Sequence, residues 1–272
     1  MEPVVPLEAD VVLQLRAAGC VFAEEEARLL IANAASEREL AAMVDQRVSG
    51  LPLEHILGWA EFCGLRIHVD PGVFVPRRRT GLLVDQAAGL CGPRATVVDM
   101  CCGSGAVAAA LLARHPRVEV HAVDIDAASA RCARRNVHGP RGHVYEGDLF
   151  QPLPAWLRGR VDVMVANAPY VPTHAIAAMP PEARLHESHV ALDGGADGLD
   201  VQRLIAAEAG RWLATSGRLL IETSEQQAER TATLMRRSGM STRVVRSNDL
   251  DATVVIGTVF QEDLTGGPGS TR

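Results

Sequence analysis

The stretch Thr96-Val-Val-Asp-Met-Cys-Cys-Gly-Ser-Gly105 decides the fold of this 272-residue chain. Its first five residues form an apolar run typical of a buried strand, and the glycine turn after them leads into an alanine-rich helix over 106–113. Such a turn lets the backbone approach a ligand, while the start of the helix offers unpaired N–H groups. We therefore expect a strand–turn–helix unit with a ligand at the turn.

The alternation of strands and helices continues along the chain. Strands are predicted over 118–123, 161–166, 217–223 and 253–260, and a helix over 201–214. This pattern indicates an α/β domain built on a doubly wound sheet, in which ligands bind beyond the carboxyl ends of the strands. The final segment, 265–272, is rich in Gly, Ser and Pro, and is predicted to be disordered.

A small helical domain is predicted before the sheet, with helices over 7–18, 23–35 and 36–50. The third helix begins at the capping box Ser36-Glu-Arg-Glu39. Alternating apolar and polar residues over 61–69 predict a strand or hairpin. We therefore expect a helical, substrate-reading domain over 1–60, a connecting hairpin and linker over 61–80, and the ligand-binding α/β domain over 81–264.

Composition and charge exclude several classes of protein. All 27 basic residues are arginine, so Schiff-base enzymes, P-loop enzymes and Tyr/Lys dehydrogenases, which need a lysine, are excluded. Residues 1–70 hold 5 Arg against 12 Asp and Glu, whereas residues 71–272 hold 22 against 21. A protein that grips phosphate backbones needs a basic face, so nucleic acid is not expected as the substrate.

Cysteine and histidine usage indicates a cytoplasmic protein without a metal. The six cysteines form no C-x-x-C pair, and the nine histidines form neither H-x-x-x-H nor H-E-x-x-H. We therefore expect reduced thiols and no metal ligands. The acidic N-terminus lacks the basic start of a signal peptide. The longest uncharged stretch, Val163 to Pro181, contains four prolines, so no membrane span is expected.

The glycine turn, together with an acid on the next strand, predicts a nucleoside-cofactor site. Cys101–Gly105 can cradle the ligand, and Asp124, at the end of the second strand, can accept both hydroxyls of a ribose. The spacing Gly103-x-Gly105-x-x-Ala108 also fits the dinucleotide fingerprint, so the residues alone leave the cofactor open.

A second motif, Asn167-Ala-Pro-Tyr170, follows the strand predicted over 161–166. It therefore lies at the edge of the sheet where ligands bind. The Asn167 oxygen and the carbonyl of residue 168 can accept hydrogen bonds from an NH₂ group, while Tyr170 lies against its plane. An Asn-Pro turn with a packing tyrosine is the simpler interpretation of this motif alone.

Together the two motifs resemble the HemK/PrmC family of S-adenosylmethionine-dependent protein-glutamine methyltransferases. That family pairs a D-x-G-x-G-x-G-type loop with Asn-Pro-Pro-Tyr. Five further segments resemble other characteristic motifs of the family: Leu51–Gly58, Glu61–Gly64, Val73–Thr80, Glu187–Gly198 and Glu222–Gln226.

The resemblance implies a class I, Rossmann-like methyltransferase domain with a doubly wound seven-stranded sheet. It implies methyl transfer from S-adenosylmethionine to the side-chain amide nitrogen of a glutamine in a translation release factor. The implied cofactor-binding residues are Cys101, Cys102, Gly103, Ser104, Gly105, Asp124, Ile125, Asp148, Leu149 and Asn167. The implied catalytic residues are Asn167, Ala168, Pro169 and Tyr170.

Three residues depart from the family pattern. Ala168 stands for the first proline of the motif, Gly81 for the glutamate after Thr80, and Cys101 for the first glycine of the loop. Ala168 keeps the carbonyl that would accept from the substrate, but loses a ring that fixes φ, at a cost of about 0.4–1 kcal/mol of preorganisation.

Other interpretations change the acceptor, the cofactor or the class of protein. A small-molecule N-methyltransferase acting on an amide, guanidine or amine keeps both motifs. An adenine-in-DNA methyltransferase would need a basic region to recognise DNA, and such a region is absent from this sequence. A dinucleotide-dependent reductase leaves Asn167–Tyr170 unexplained, and a binding module that has lost catalysis is the non-enzyme alternative. The run Arg77-Arg78-Arg79 is interpreted as a solvated face rather than a contact for a substrate carboxylate.

Overall fold

The computed structural model describes residues 8–259, so the tail predicted over 265–272 lies outside the described residues. The chain opens with helices and a hairpin: α1 Glu8–Ala17, α2 Ala23–Asn33, α3 Glu37–Val48, α4 Leu53–Leu57, β1 Trp59–Phe62 and β2 Leu65–His68. The predicted cap of the third helix is confirmed, because the Ser36 hydroxyl accepts from the backbone N–H of Glu39 at 3.2 Å. The hairpin begins two residues earlier than the linker we predicted over 61–80.

The α/β part follows, with helices α5 Gly81–Leu90, α6 Ala106–Arg114, α7 Ala127–Asn136, α8 Pro181–His186, α9 Asp200–Ala209 and α10 Ala228–Arg237. Its strands are β3 Thr96–Met100, β4 Glu119–Asp124, β5 Gly142–Glu146, β6 Val161–Ala166, β7 Leu213–Thr223, β8 Met240–Ser247 and β9 Ala252–Val259. They form one seven-stranded sheet in the order β5-β4-β3-β6-β7-β9-β8. The first five are parallel, and β9 is antiparallel to both neighbours. The predicted doubly wound sheet is confirmed.

Apolar side chains cover both faces of the sheet, as a parallel sheet requires. One core packs α5 and α6 against one face, and the other packs α9 and α10 against the opposite face. A third, separate core holds α1 to α3 together, with Leu15 and Leu30 fully buried. Arg47 connects this helical part to α8, because its guanidinium bonds to Glu26 and Glu182, each at 2.6 Å.

Two elements of the structure differ from the prediction. The helix predicted over 201–214 ends at Ala209, and its last residues belong to β7, which a bulge opposite β6 lengthens. At this bulge a Cβ on Gly217 would come within 2.8 Å of the Val161 carbonyl oxygen, so only glycine fits. Strand β8, which forms the edge beyond β9, was not predicted, because its alternation includes polar and half-exposed residues.

Candidate functional site

A cavity of about 420 Å³ opens at the carboxyl ends of the parallel strands. All but one of the predicted site residues line it: Cys101, Cys102, Gly103, Ser104, Asp124, Ile125, Asp148, Leu149, Asn167, Ala168, Pro169 and Tyr170. The turn after β3, the end of β4 and the loops after β5 and β6 thus meet in one space. The site predicted from two separate motifs is a single cavity in the structure.

The glycine turn is fixed by the acid of the next strand. One carboxylate oxygen of Asp124 accepts from the Gly103 N–H at 2.8 Å, and the other accepts from the Asp126 N–H at 2.9 Å. Each oxygen keeps a free lone pair. Burial raises the pKa of Asp124, while the two backbone hydrogen bonds oppose that increase. The carboxylate is thus positioned in the cavity by the turn that it closes.

Cys101 adopts a φ of 56° in this turn, in the left-handed region that favours glycine. The family pattern places glycine here, and the backbone keeps the glycine-type conformation despite the Cβ. Such a conformation costs of the order of 1–3 kcal/mol for a residue with a side chain. The substitution therefore leaves the shape of the turn unchanged and strains its first residue.

Gly105 is the predicted cofactor-binding residue that does not line the cavity. A Cβ at this position would lie 2.8 Å from Cγ2 of Val137 and 3.0 Å from Cβ of Ala133. The glycine is therefore needed where α6 begins and packs against α7. In the structure its role is close packing rather than contact with the cavity.

Asp99, the fourth of the five residues of β3, lies beneath the glycine turn and is 2% exposed. Its carboxylate accepts from the Ala108 N–H at 3.1 Å, which ties the strand to the first turn of α6. Burial raises the pKa of Asp99 to about 7, and the nearby Asp124 contributes to the increase. Asp99 therefore lines the cavity and also supports the loop beside it.

The linker before α5 forms a hydrogen bond with the side chain of Asn167. Its side-chain nitrogen donates to the Thr80 hydroxyl at 3.3 Å. Among residues 8–259, no donor bonds to its side-chain oxygen or to the Ala168 carbonyl. Both residues line the cavity, and neither acceptor has a partner among the described residues, although Ala168 itself is 0% exposed.

The backbone after this motif is braced by a loop and a helix. The side-chain nitrogen of Gln227 donates to the Tyr170 carbonyl at 3.0 Å and to the Asp197 carbonyl at 3.2 Å. A Cβ on Gly198 would come within 2.3 Å of the same Tyr170 carbonyl oxygen. The segment Glu187–Gly198 thus packs directly behind the Asn167–Tyr170 motif, and glycine is required for that approach.

Comparisons with known proteins indicate the same type of enzyme as these two loops. The family described as "Methyltransferase small domain" matches residues 64–196. The release factor glutamine methyltransferase of Geobacter sulfurreducens is 40% identical over an alignment of 206 residues that covers 74% of this chain and 72% of that protein. The protein of the same name from Mycolicibacterium smegmatis is 37% identical, over 83% of this chain and 82% of its own length.

The chain belongs to the release factor glutamine methyltransferase family. The predicted family and enzyme class are thereby confirmed. Solved structures agree on the fold alone: a methyltransferase from Pyrococcus furiosus superposes with a TM-score of 0.54, at 15% identity, covering 73% of this chain and 90% of its own. The T. thermophilus 16S rRNA N2 G1207 methyltransferase, solved with AdoMet and guanosine, gives 0.52 at 18% identity, covering 74% and 49%.

We predicted that the arginine run of this methyltransferase is a solvated face, but two of its three residues form ion pairs with buried carboxylates. Arg77 forms an ion pair of 2.6 Å with Glu187, whose side chain is 1% exposed. Arg79 lies 3.6 Å from the buried carboxylate of Glu222 and over the ring of Tyr170. Arg78 is exposed and does not line the cavity. Arg77 and Arg79 therefore form part of the wall of the cavity.

Thr80 and Glu222 belong to the site although the motifs gave them no role. Neither carboxylate oxygen of Glu222 has a hydrogen-bond partner among residues 8–259. Burial raises the pKa of Glu222, which the neighbouring Thr80 and Arg79 oppose. Both residues lie in segments that resemble the family, and that resemblance was the only signal for them in the sequence.

None of the helices in the described part of the chain has the length and apolar character needed to cross a membrane.

Proposed function

We propose that this methyltransferase transfers a methyl group from S-adenosylmethionine to the side-chain amide nitrogen of a glutamine in a release factor. The observation that carries the proposal is the pair of free acceptors, the Asn167 side-chain oxygen and the Ala168 carbonyl, on the wall of the cavity that also holds Asp124. The names of the relatives support a release factor glutamine as the methyl acceptor, because the relatives are release factor glutamine methyltransferases.

The residues of the cavity suit S-adenosylmethionine. Asp124 offers a free lone pair on each oxygen for the two ribose hydroxyls. Leu149 and Val123 provide apolar walls beside Asp148, which suits a heterocycle with one polar edge. In the glycine turn, the N–H groups of Cys102, Gly103 and Gly105 have acceptors within the protein, whereas the Ser104 N–H has none among the described residues and can face the methionine part. When bound, S-adenosylmethionine supplies a methyl carbon activated by its positive sulfur.

An amide nitrogen is a poor nucleophile because its lone pair is delocalised into the carbonyl group. The Asn167 oxygen and the Ala168 carbonyl would accept from the two N–H groups of the substrate and fix the nitrogen in place. Positioning of this kind can contribute several kcal/mol to catalysis. The two acceptors would also stabilise the positive charge that develops on nitrogen as the N–C bond forms and the bond between the methyl carbon and sulfur breaks. One N–H proton would then pass to solvent, and a strong base is not needed.

A second cavity of about 420 Å³ adjoins the first, and shares Arg79 and Tyr170 with it. Its walls are mostly polar and include Glu222, Arg246 and Asn248. Polar walls suit the backbone of a peptide, whose N–H and C=O groups need partners. We place the residues that flank the substrate glutamine in this second cavity.

We also propose that the helical part over 1–60 reads the substrate, as expected from the sequence. Its own core is separate from the sheet, and Arg47 ties it to α8 near the rim of the site. A chain lacking residues 1–50 should bind S-adenosylmethionine normally, but methylate an intact release factor more slowly. Unchanged activity toward the intact protein would contradict a reading role.

No observation favours the small-molecule acceptor over the protein.

The cytoplasmic location stays a prediction; it rests on the cysteines, which are all free in the described structure.

The direct test is methylation of a purified release factor, with the modified peptide identified by mass spectrometry. We expect one added methyl group on a single glutamine, in the presence of S-adenosylmethionine only. A release factor with that glutamine replaced by asparagine is the matched control and should stay unmodified. Cofactor turnover with a small amine or amide, but none with the release factor, would contradict the proposal.

A further inference from the structure

A cluster of two histidines and a glutamate lies on the outer strands of the sheet, away from the cavity. Glu119 and His121 stand two residues apart on β4, so their side chains share one face. His143, on the neighbouring strand β5, is directly opposite His121 in the parallel register. The three residues therefore meet on one face although they belong to two strands.

The distances among the three side chains are close to those of a metal site. The Glu119 oxygen Oε1 lies 3.1 Å from Nε2 of His143 and 3.5 Å from Nε2 of His121. All three candidate ligand atoms lie within 4.8 Å of one another. Tetrahedral zinc with bonds of about 2.0–2.1 Å separates its ligand atoms by about 3.3 Å. The two imidazoles stack with 4.8 Å between their ring centroids and 18° between their planes, so the half-exposed His143 ring must rotate to bring both nitrogen lone pairs onto one ion.

His121 is the second, independent indication of a ligand. It is 1% exposed, and its Nε2 has no hydrogen-bond partner among the described residues. Its other ring nitrogen, Nδ1, lies 3.1 Å from the Tyr145 hydroxyl. With the proton on Nδ1 donated to that oxygen, Nε2 presents a bare lone pair to Glu119 and His143. A second hydrogen bond that orients the imidazole in this way is typical of histidine ligands of metals.

The surroundings of the imidazole also suit coordination. The indole of Trp156 lies edge-on against it, at 5.5 Å between ring centroids, and forms an apolar wall.

We propose that Glu119, His121 and His143 bind a divalent cation of the zinc type. Two imidazoles and one carboxylate form a ligand set that zinc accepts, with water in the fourth position. Glu119 and His143 are half-exposed, so the cation can enter from solvent. The histidine spacing did not predict this site, because its ligands lie on separate strands. Bound metal would join β4 to β5, the outermost strand, which leads to Asp148 and Leu149 of the cavity.

The test uses the full chain, freed of metal by a chelator, and titrated with Zn²⁺ by calorimetry and with Co²⁺ by visible spectroscopy. We expect one ion per chain and the d–d bands of four-coordinate Co²⁺ with nitrogen and oxygen ligands. His143→Asn and Glu119→Gln, both at half-exposed positions, should each weaken binding at least tenfold. The exposed His138 provides the control, and His138→Asn should bind like the unaltered protein.

Thermal unfolding gives a second measurement that does not depend on enzyme activity. At Zn²⁺ one hundredfold above the Kd, linkage predicts an increase in Tm of about 5–10 °C, absent from both ligand variants. The proposal is overturned if the unaltered chain shows no saturable binding, or if both variants bind as tightly as it does. A thiolate charge-transfer band with Co²⁺ would also overturn it, since the ion would then be bound by cysteine.

Discussion

The side-chain nitrogen of Asn167 lies 3.3 Å from the hydroxyl oxygen of Thr80, a residue 87 positions earlier in the chain. The contact determines which end of the amide faces the cavity, because the nitrogen is engaged and the oxygen is left free. It also joins the linker before α5 to the loop after β6. An asparagine that could rotate freely would present a donor as often as an acceptor.

Asn167→Ala should reduce turnover by a hundredfold or more, because it removes an acceptor contributing about 3 kcal/mol to the transition state. Affinity for S-adenosylmethionine should change much less. Single-turnover rates and calorimetry on the same preparations would separate the two effects. Full activity in this variant with the release factor would refute the assigned role of Asn167.

Thr80→Val keeps the shape of the side chain and removes the hydroxyl that orients Asn167. Loss of one hydrogen bond of about 1 kcal/mol predicts a decrease in kcat of about fivefold to tenfold. Thr80→Ser restores the hydroxyl and should recover the rate. If the serine variant is as slow as the valine variant, the methyl group of Thr80 matters rather than its hydroxyl.

Ala168→Pro should be tolerated when the acceptor is a glutamine amide. The Ala168 N–H has no backbone acceptor among residues 8–259, so proline breaks no hydrogen bond there. The carbonyl that would accept from the substrate remains. Steady-state rates with the release factor should stay within about threefold, given an effect of about 0.4–1 kcal/mol. A complete loss of activity would indicate that alanine makes room for a different acceptor.

Asp124→Ala should weaken S-adenosylmethionine binding by about 1–3 kcal/mol, because two ribose hydroxyls would lose their partner. Asp124→Asn keeps one oxygen acceptor and should lose less. Calorimetric titration of all three proteins checks this order, and unfolding curves show whether the glycine turn has survived. Equal affinities across the series would place the nucleoside elsewhere.

The pKa of Asp99, raised to about 7 by burial, makes stability depend on pH. The folded state binds this proton more tightly than the unfolded state, whose carboxyl titrates near 4. As the pH rises from about 4 to about 7, ionisation of the buried Asp99 therefore lowers the free energy of unfolding progressively, by up to about 4 kcal/mol. Asp99→Asn should remove that slope. Urea unfolding of both proteins across this range is the measurement, and parallel curves would contradict the shift.

Local patterns in the sequence sufficed for the parts of the site that lie on single loops. The glycine turn with Asp124, and the Asn167–Tyr170 motif, each follow a buried strand. Since parallel strands end at one edge of the sheet, the two loops had to meet there. The family resemblance then supplied the identity of the reaction.

Contacts between distant segments could not be predicted in the same way. Nothing in the spacing of Thr80 and Asn167, or of Tyr170 and Gln227, shows that they touch. The run of arginines was misinterpreted for this reason, since its buried partner Glu187 lies 110 residues away from Arg77. Strand β8 was missed because an edge strand with one exposed face lacks the continuous apolar run of a central strand.

The two loops that form the site leave neighbouring strands, with Met100 of β3 directly opposite Ala166 of β6. Adjacent strands in a sheet are separated by about 4.8 Å, a spacing set by backbone hydrogen bonds. In the proposed mechanism, the separation between the methyl donor and the methyl acceptor would thus be set by the main chain, and side-chain changes in the loops would leave it in place. Replacement of a proline by Ala168, or of a glycine by Cys101, would alter local stiffness without moving the two strand ends apart.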